Sequence, residues 1–204
     1  MFFSSNRDSR WAAYVAAADD GWKETQIFTR QYDTRPESEG PDNSLLITIV
    51  DPKTATDIWL MRSGGKLEPL VVAPQTQSSP RFSPSGRFFA YTSNGTGRSE
   101  VLLRAIGGGE TVQVSTKGGT QPTWSRDGAG LYYSQAATIM RVAIDANGRA
   151  GLPQALMHRP DLTGVVDTSL DGKRLLTIKF LPESIPSEIR IITNFVDEIR
   201  KAVK

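Results

Sequence analysis

The sequence predicts an all-β fold of the β-propeller type. Short β-prone runs alternate with clusters of Gly, Asn, Pro and Ser through most of the 204 residues, which is typical of antiparallel sheets. One turn-and-strand unit recurs, and its turn glycines Gly86, Gly128 and Gly172 stand 42 and 44 residues apart. A period of about 40–45 residues with four strands per unit is the period of a propeller blade.

The unit is clearest between Ser79 and Ser115. It contains a polar turn at Ser83 to Gly86, an apolar run from Phe88 to Thr92, and a second turn at Asn94 to Gly97. Two further short apolar runs supply the remaining strands. Because Gly adopts positive φ without steric cost, its recurrence at the first turn predicts the same turn conformation in every unit.

The repeat predicts one propeller domain that covers the whole chain. The chain begins inside a unit, since Phe2 to Arg7 resembles a strand end with its turn, and it is therefore interpreted as the C-terminal portion of a longer protein. The polar segment Gln31 to Ser44 is predicted to be a loop, and spacing within Phe195 to Val203 predicts a short terminal helix. The predicted units are 1–30 (partial), 45–75, 79–116, 120–157 and 162–193, with a tail at 194–204.

Composition excludes several classes of protein. The 24 basic and 22 acidic residues are spread along the chain, which argues against a partner such as nucleic acid or a membrane surface. No apolar stretch reaches the roughly 18–20 residues of a membrane span. The chain has no cysteine, and its first residues lack the pattern of a signal peptide. The absence of cysteine is compatible with both the cytoplasm and an extracytoplasmic compartment, so it does not identify the location of the protein.

No catalytic constellation is visible in the sequence. His158 is the single histidine, and no Gly-x-Ser-x-Gly elbow accompanies it, so the chain itself is predicted not to be an enzyme. Asp127 and Asp171 lie in the recurring turn, where an aspartate accepts hydrogen bonds from backbone N–H groups two residues on. A calcium site needs six to eight oxygens, which these turns do not supply, so no metal or cofactor is predicted.

Recognition by rim loops is therefore the predicted activity. Propellers bind partners through the loops at their two rims and through the central channel. The candidate surface comprises residues 94–98, 35–43 and 117–121. The candidate recognition residues are Asn94, Thr96, Arg98, Lys117 and Gln121. The residues assigned to the structural turn are Ser83, Gly86, Asp127, Gly128, Asp171 and Gly172.

The recurring turn resembles that of the TolB-like β-propeller family, a WD-like repeat whose blades carry Ser-Pro-Asp-Gly-Arg. Here the turn reads Ser83-Pro84-Ser85-Gly86-Arg87, Ser125-Arg126-Asp127-Gly128 and Ser169-Leu170-Asp171-Gly172-Lys173. Ser85, Arg126 and Leu170 depart from the family pattern. The resemblance implies six blades, of which four to five are visible, so the chain is expected to form an open arc whose sheet edges allow self-association.

The sequence is most similar to the C-terminal propeller of bacterial receptor-type serine/threonine protein kinases. Asp51 to Trp59, Ser93 to Leu102, Gly118 to Trp124 and Ile189 to Phe195 resemble segments of those propellers. This likeness implies a non-catalytic sensor that binds a protein or peptide and lies outside the cytoplasm. Two alternatives stay open: the propeller portion of a prolyl-oligopeptidase-like hydrolase, and a TolB-type periplasmic protein of the cell envelope.

Overall fold

The computed structural model confirms the predicted all-β fold. It describes residues 1–7, 9–16, 21–28, 32–169, 171–172 and 174–179, and every regular element among them is a β-strand. The strands are β1 Phe2–Ser5, β2 Ala12–Ala16, β3 Glu24–Phe28, β4 Thr34–Glu39, β5 Leu45–Asp51, β6 Ala55–Met61, β7 Leu67–Val71, β8 Gln77–Phe82, β9 Phe88–Ser93, β10 Glu100–Ala105, β11 Val112–Gln113, β12 Thr120–Trp124, β13 Gly130–Gln135, β14 Thr138–Ala143, β15 Gln154–His158, β16 Leu162–Thr168 and β17 Leu175–Lys179.

The strands form five antiparallel sheets in chain order. The second, third and fourth sheets each have four strands, β4 to β7, β8 to β11 and β12 to β15. The first sheet pairs β1, β2 and β3, and the fifth pairs β16 with β17 among the described residues. Within a sheet, each strand is hydrogen-bonded to the next one in sequence, which is the up-and-down order of a propeller blade.

The first strands of the last four sheets, β4, β8, β12 and β16, lie beside one another, and we call them the inner strands. β8 packs against β4 and also against β5 and β6, and β12 packs in the same way against the first three strands of the third sheet. β4 packs against β1 and β2. By this correspondence β1 and β2 are equivalent to the second and third strands of the other sheets.

Apolar side chains fill each junction between neighbouring sheets. The largest cluster joins the third and fourth sheets around Leu103, Leu131 and Tyr133, each no more than 1% exposed. A strand between two sheets is buried on both faces, so β5 is a continuous apolar run: Leu46 faces the third sheet and Ile47 the first. Each fully buried side chain of this size stabilises the fold by roughly 1.5–3 kcal/mol.

Every inner strand contains a β-bulge. In β8 the pairing register shifts between Ser78 and Arg81, and in β12 between Thr120 and Thr123. Ser79 and Gln121, which are equivalent by the repeat, both have positive φ, 52° and 56°. A non-glycine residue in this region is strained, and finding the same strain in two sheets shows that the bulge belongs to the repeated unit.

The prediction of a loop from Gln31 to Ser44 is wrong in its centre. Residues Thr34–Glu39 form β4, the inner strand of the second sheet, paired with β5. The segment reads as a loop because it is polar and contains Pro36, whereas a strand on the inner side of the arc has less apolar surface to bury. The second sheet therefore runs from 34 to 71 and not from 45 to 75.

The other differences in bounds are small. β8 begins at Gln77, before the predicted unit at 79, and β15 ends at His158, just after the predicted limit of 157. The part of the predicted unit 162–193 beyond residue 179 and the predicted helix within Phe195 to Val203 lie outside the described residues. No helix with the length and hydrophobicity needed to cross a membrane occurs in the described part of the chain.

Candidate binding site where the inner strands end

The antiparallel order places the connections on two opposite rims. Turns between the first and second strands of a sheet share one rim with turns between its third and fourth strands. We call this the turn rim. Turns between the second and third strands, together with the connections from one sheet to the next, form the crossover rim. This division follows from strand direction alone, and it separates the two groups of residues singled out in the sequence.

The turn rim carries the recurring turn. Ser125 accepts a hydrogen bond from Gly130 N–H at 2.7 Å and donates to Asp127 at 2.5 Å. Ser83 accepts from Phe88 N–H at 3.1 Å and Ser169 from Arg174 N–H at 3.0 Å, so the device occurs in three sheets.

Asp127 accepts the hydrogen bond from the backbone N–H two residues on that the sequence predicts, and Asp171 bonds the serine of its turn. Asp127 accepts from Ala129 N–H at 3.0 Å, and Asp171 accepts from the Ser169 hydroxyl at 2.5 Å. The Ser125 hydroxyl and this N–H hold the pKa of Asp127 below its ordinary value. Gly86, Gly128 and Gly172 have φ of 69°, 73° and 67°. These residues are therefore occupied in stabilising the turn.

The predicted recognition residues lie at the crossover rim, and most of them make hydrogen bonds within the chain. Asn94 accepts from Thr76 N–H at 2.9 Å, and the Thr96 hydroxyl donates to the Arg98 carbonyl at 3.2 Å. Arg98 donates to Glu100 and to the carbonyl of Thr116. Lys117 is exposed.

Glu100 is the centre of the crossover rim, although the sequence analysis did not single it out. Its side chain is 1% exposed and accepts hydrogen bonds from the Ser115 hydroxyl, from Gly118 N–H at 3.1 Å and from Arg98 Nε at 2.5 Å. Burial favours the neutral acid, but these donors together hold the pKa of Glu100 below its ordinary value. The carboxylate thereby fixes the connection between the third and fourth sheets.

Gln121 joins three sheets rather than presenting a free side chain. Its backbone N–H donates to the Thr92 hydroxyl at 3.3 Å, and its side-chain oxygen accepts from Gly164 N–H at 3.3 Å. A side chain at Gly164 would meet this oxygen at 2.8 Å, so the close approach of β16 depends on that glycine. Gln121 is thus a bridge between inner strands.

A cavity of about 650 Å³ opens at the turn rim, where the four inner strands end. This volume is within the range of about 300–1,000 Å³ typical of ligand sites. Equivalent segments of four sheets line it, at residues 38–41, 81–84, 123–126 and 166–167. The first segment belongs to the predicted surface 35–43, whereas the other three were not predicted to bind.

Two arginines bring hydrogen-bond donors to this cavity. Arg81 donates through Nη1 to the carbonyl of Glu37 at 2.6 Å and to its carboxylate at 3.5 Å. Among the described residues Arg81 makes no hydrogen bond through Nε or Nη2, and its side chain is 38% exposed. These N–H groups are free to meet a ligand that carries acceptor oxygens.

Arg126 closes the other side of the cavity. It donates through Nε to the carbonyl of Thr168 at 3.2 Å and through Nη2 to the Asp167 carboxylate, and so joins the fourth sheet to the fifth. Both partners of this ion pair are about half exposed, 51% and 44%. Within the described chain no hydrogen bond involves Arg126 Nη1.

Apolar groups and one carboxylate complete the lining. Trp124, 6% exposed, donates its indole N–H to the carbonyl of Arg81 at 3.1 Å, which fixes the ring between sheets. Pro41 and Pro84 are exposed at the edge of the cavity, and Val166 is 50% exposed. The Glu39 side chain is exposed and pairs with no cation of the described residues. Donors, an acceptor and apolar surface thus meet in one place.

The side chains give no sign of a metal centre in the described ranges. No three His, Cys, Asp or Glu side chains converge there. His158 lies on the outer strand β15, where its Nδ1 is 3.1 Å from the Thr138 hydroxyl. Two strands separate β15 from the inner strand β12 of the same sheet, and His158 does not line the cavity.

Solved structures identify the fold as that of the TolB β-propeller. The chain is similar to a protein assigned as TolB from Agrobacterium tumefaciens, with 18% identity over 80% of this chain and 61% of that one, and a TM-score of 0.65. For TolB from Acinetobacter baumannii the identity is 21% over 83% of this chain and 41% of that one, with a TM-score of 0.62.

The same fold also occurs in an enzyme. Oligogalacturonate lyase from Vibrio parahaemolyticus is 11% identical over 84% of this chain and 65% of that one, with a TM-score of 0.55. No protein-family model and no curated protein sequence matches the chain. The chain spans less than two thirds of the length of these solved structures, and identities this low establish the fold but not an activity.

Proposed function

We propose that the chain is a non-catalytic propeller that binds an extended protein segment or peptide at the turn-rim cavity. The observation that carries this proposal is the convergence of Arg81, Arg126, Glu39 and exposed apolar side chains at the ends of four inner strands. The arginines would donate to carboxylate or backbone carbonyl oxygens of the peptide. Val166 and the two prolines would contact an apolar side chain.

The rigid surroundings support this assignment. Each lining segment follows an inner strand whose turn is fixed by repeated hydrogen bonds, so the donors are held before a ligand arrives. Preorganised groups lose less conformational entropy on binding than groups on mobile loops. The candidate residues Asn94, Thr96 and Arg98 lie at the opposite rim, outside the lining of this cavity, where their hydrogen bonds stabilise the crossover connections.

A role in the cell envelope is the more specific form of this proposal. The TolB proteins with the same fold favour it, and it agrees with the extracytoplasmic location that the sequence resemblance implies. Attachment to a receptor-type kinase, or to a hydrolase, remains a prediction from sequence. In each case the propeller would supply binding, and the chemistry would belong to another domain.

Selection of peptides from a random 12-residue phage library against the full chain tests the proposal. Selected peptides are then titrated by fluorescence anisotropy against wild type, Val166→Glu and Leu152→Glu. Both substitutions put a carboxylate at an exposed apolar position, but Leu152 lies on the connection before β15, outside the cavity lining. We expect Val166→Glu to weaken binding at least about tenfold, or about 1.4 kcal/mol, and Leu152→Glu to change it less than twofold.

Two results would overturn the assignment. Equal losses in both variants would show that binding is not centred on the cavity. A third variant, Lys117→Glu, probes the crossover rim, and a larger loss there than with Val166→Glu would move the site to the opposite rim. Failure to select any peptide that binds the wild type would exclude peptide recognition.

A further inference from the structure

The last strands of the sheets differ in how their outer edges are protected. β3, β7, β11 and β15 each end a sheet, so one edge of every such strand has no partner among the described strands. Unpaired edges template pairing with another chain, and charges, prolines or short length normally prevent it. β7 contains Glu68, paired with Arg62 and Lys66, and Pro69. β11 has two residues.

β15 lacks these protections. It comprises Gln154–His158, five exposed residues that include neither Pro nor any Asp, Glu, Lys or Arg. Leu156 is 47% exposed and Met157 37%. By contrast, the five-residue outer strand β3 begins with Glu24, which pairs with Arg7. Among the outer strands β3, β7, β11 and β15 of the described chain, β15 differs in being at once five residues long, uncharged and exposed at two apolar side chains.

We propose that β15 is a self-association edge at which two copies of this chain pair antiparallel, with the two-fold axis at Leu156. The partner is a second copy because the strand is complementary to itself in that arrangement. Leu156 opposes Leu156, the small Ala155 opposes the long Met157, and the Gln154 amide opposes the His158 imidazole. Isologous contact of this kind gives a closed dimer with one continuous sheet.

The bulge in β15 does not remove this possibility. Leu156 is the additional residue, because Ile139 pairs with Met157 and Met140 with Ala155. β3 and β7 have a bulge at the equivalent position, so the bulge is common to the outer strands and cannot account for the missing charge in β15. Leu156, at the centre of the proposed contact, is 47% exposed.

Cross-linking measures the register of this contact, because the chain contains no cysteine. The variant Leu156→Cys places two thiols opposite each other at the axis, and we expect mild oxidation to give a disulfide-linked dimer on a non-reducing gel. The matched control is Gln154→Cys, whose two thiols would be separated by four positions along the strands, roughly 13 Å, and should not form a disulfide. Cross-linking of both variants to the same extent would indicate random collision and overturn the proposal.

Sedimentation equilibrium tests the association itself. We expect the wild type to dimerise and Leu156→Lys to weaken dimerisation at least tenfold while retaining the far-UV circular dichroism of the wild type. The control is Ile178→Lys on β17, an equally exposed apolar residue of the last sheet, which should leave the dimer unchanged. A wild type that is monomeric at all concentrations, or a dimer sensitive to Ile178→Lys and not to Leu156→Lys, would overturn the proposal.

Discussion

The two rims of the molecule are stabilised in different ways. At the turn rim the same serine-centred turn closes three successive sheets, and in each turn the serine hydroxyl accepts a hydrogen bond from a backbone N–H group. At the crossover rim one buried carboxylate, Glu100, holds a single connection with donors from three residues. Repetition therefore marks the scaffold of the turn rim, whereas Arg126 departs from the repeat there and lines the cavity.

If this comparison is correct, loss of Glu100 has the largest effect. Glu100→Ala leaves the Ser115 hydroxyl, Gly118 N–H and Arg98 without their common acceptor in a buried place. We expect the free energy of unfolding to fall by about 3 kcal/mol, measured by urea denaturation. A loss below about 1 kcal/mol would show that the connection is held by other contacts.

Loss of one turn serine should have a smaller effect. Ser125→Ala removes the acceptor for Gly130 N–H in a turn that is 6% exposed at the serine, and we expect a loss of about 1–2 kcal/mol. The matched control is Ser169→Ala, which removes the same bonds where they are exposed, and it should be less costly. Both are measured by urea denaturation, and a larger loss for Ser169→Ala would contradict the view that burial sets the strength of the turn.

Acid should distinguish the two rims further. The folded-state pKa of Glu100 is lowered, so its contribution to stability is complete above the ordinary pKa of about 4.5 and is lost as the pH falls through the folded-state value. The difference in unfolding free energy between wild type and Glu100→Gln should therefore shrink as the pH falls below about 4.5. A difference that stays constant over this range would show that the charge of Glu100 is not what the fold uses.

The smallest effect is expected at Lys117. Its side chain is exposed on the crossover rim, so Lys117→Ala should change the free energy of unfolding by less than about 0.5 kcal/mol. Thermal and urea denaturation of Lys117→Ala and Glu100→Ala would compare the smallest and the largest expected losses of unfolding free energy at the crossover rim. A loss of unfolding free energy above about 1 kcal/mol for Lys117→Ala would mean that exposed side chains, as well as Glu100, stabilise the connection between the third and fourth sheets.

The sequence predicted the turns and strands that recur in each repeated unit. The turns at Gly86, Gly128 and Gly172 and the strands between them follow from the spacing of apolar runs and glycines. The inner strand β4 was missed because Thr34–Glu39 is polar and contains Pro36. Side-chain alternation within one sheet does not reveal which strand will lie innermost.

The cavity could be predicted only in part. Residues 38–41 belonged to a surface chosen as a candidate, but Arg81 and Arg126 were not chosen. A signal existed in Arg126, which stands where the first turn has Pro84 and departs from the family pattern. The interaction of Arg81 with Glu37 joins residues 44 positions apart in two sheets, and no local pattern encodes it.

Gly40 allows the second and third sheets to approach each other closely. A methyl group on this residue would approach the ring of Phe82 to 3.0 Å and the Ser44 hydroxyl to 2.6 Å, so a side chain there would act as a wedge between the second and third sheets on the concave side. The spacing of these two sheets beside the cavity therefore depends on the absence of a side chain at residue 40.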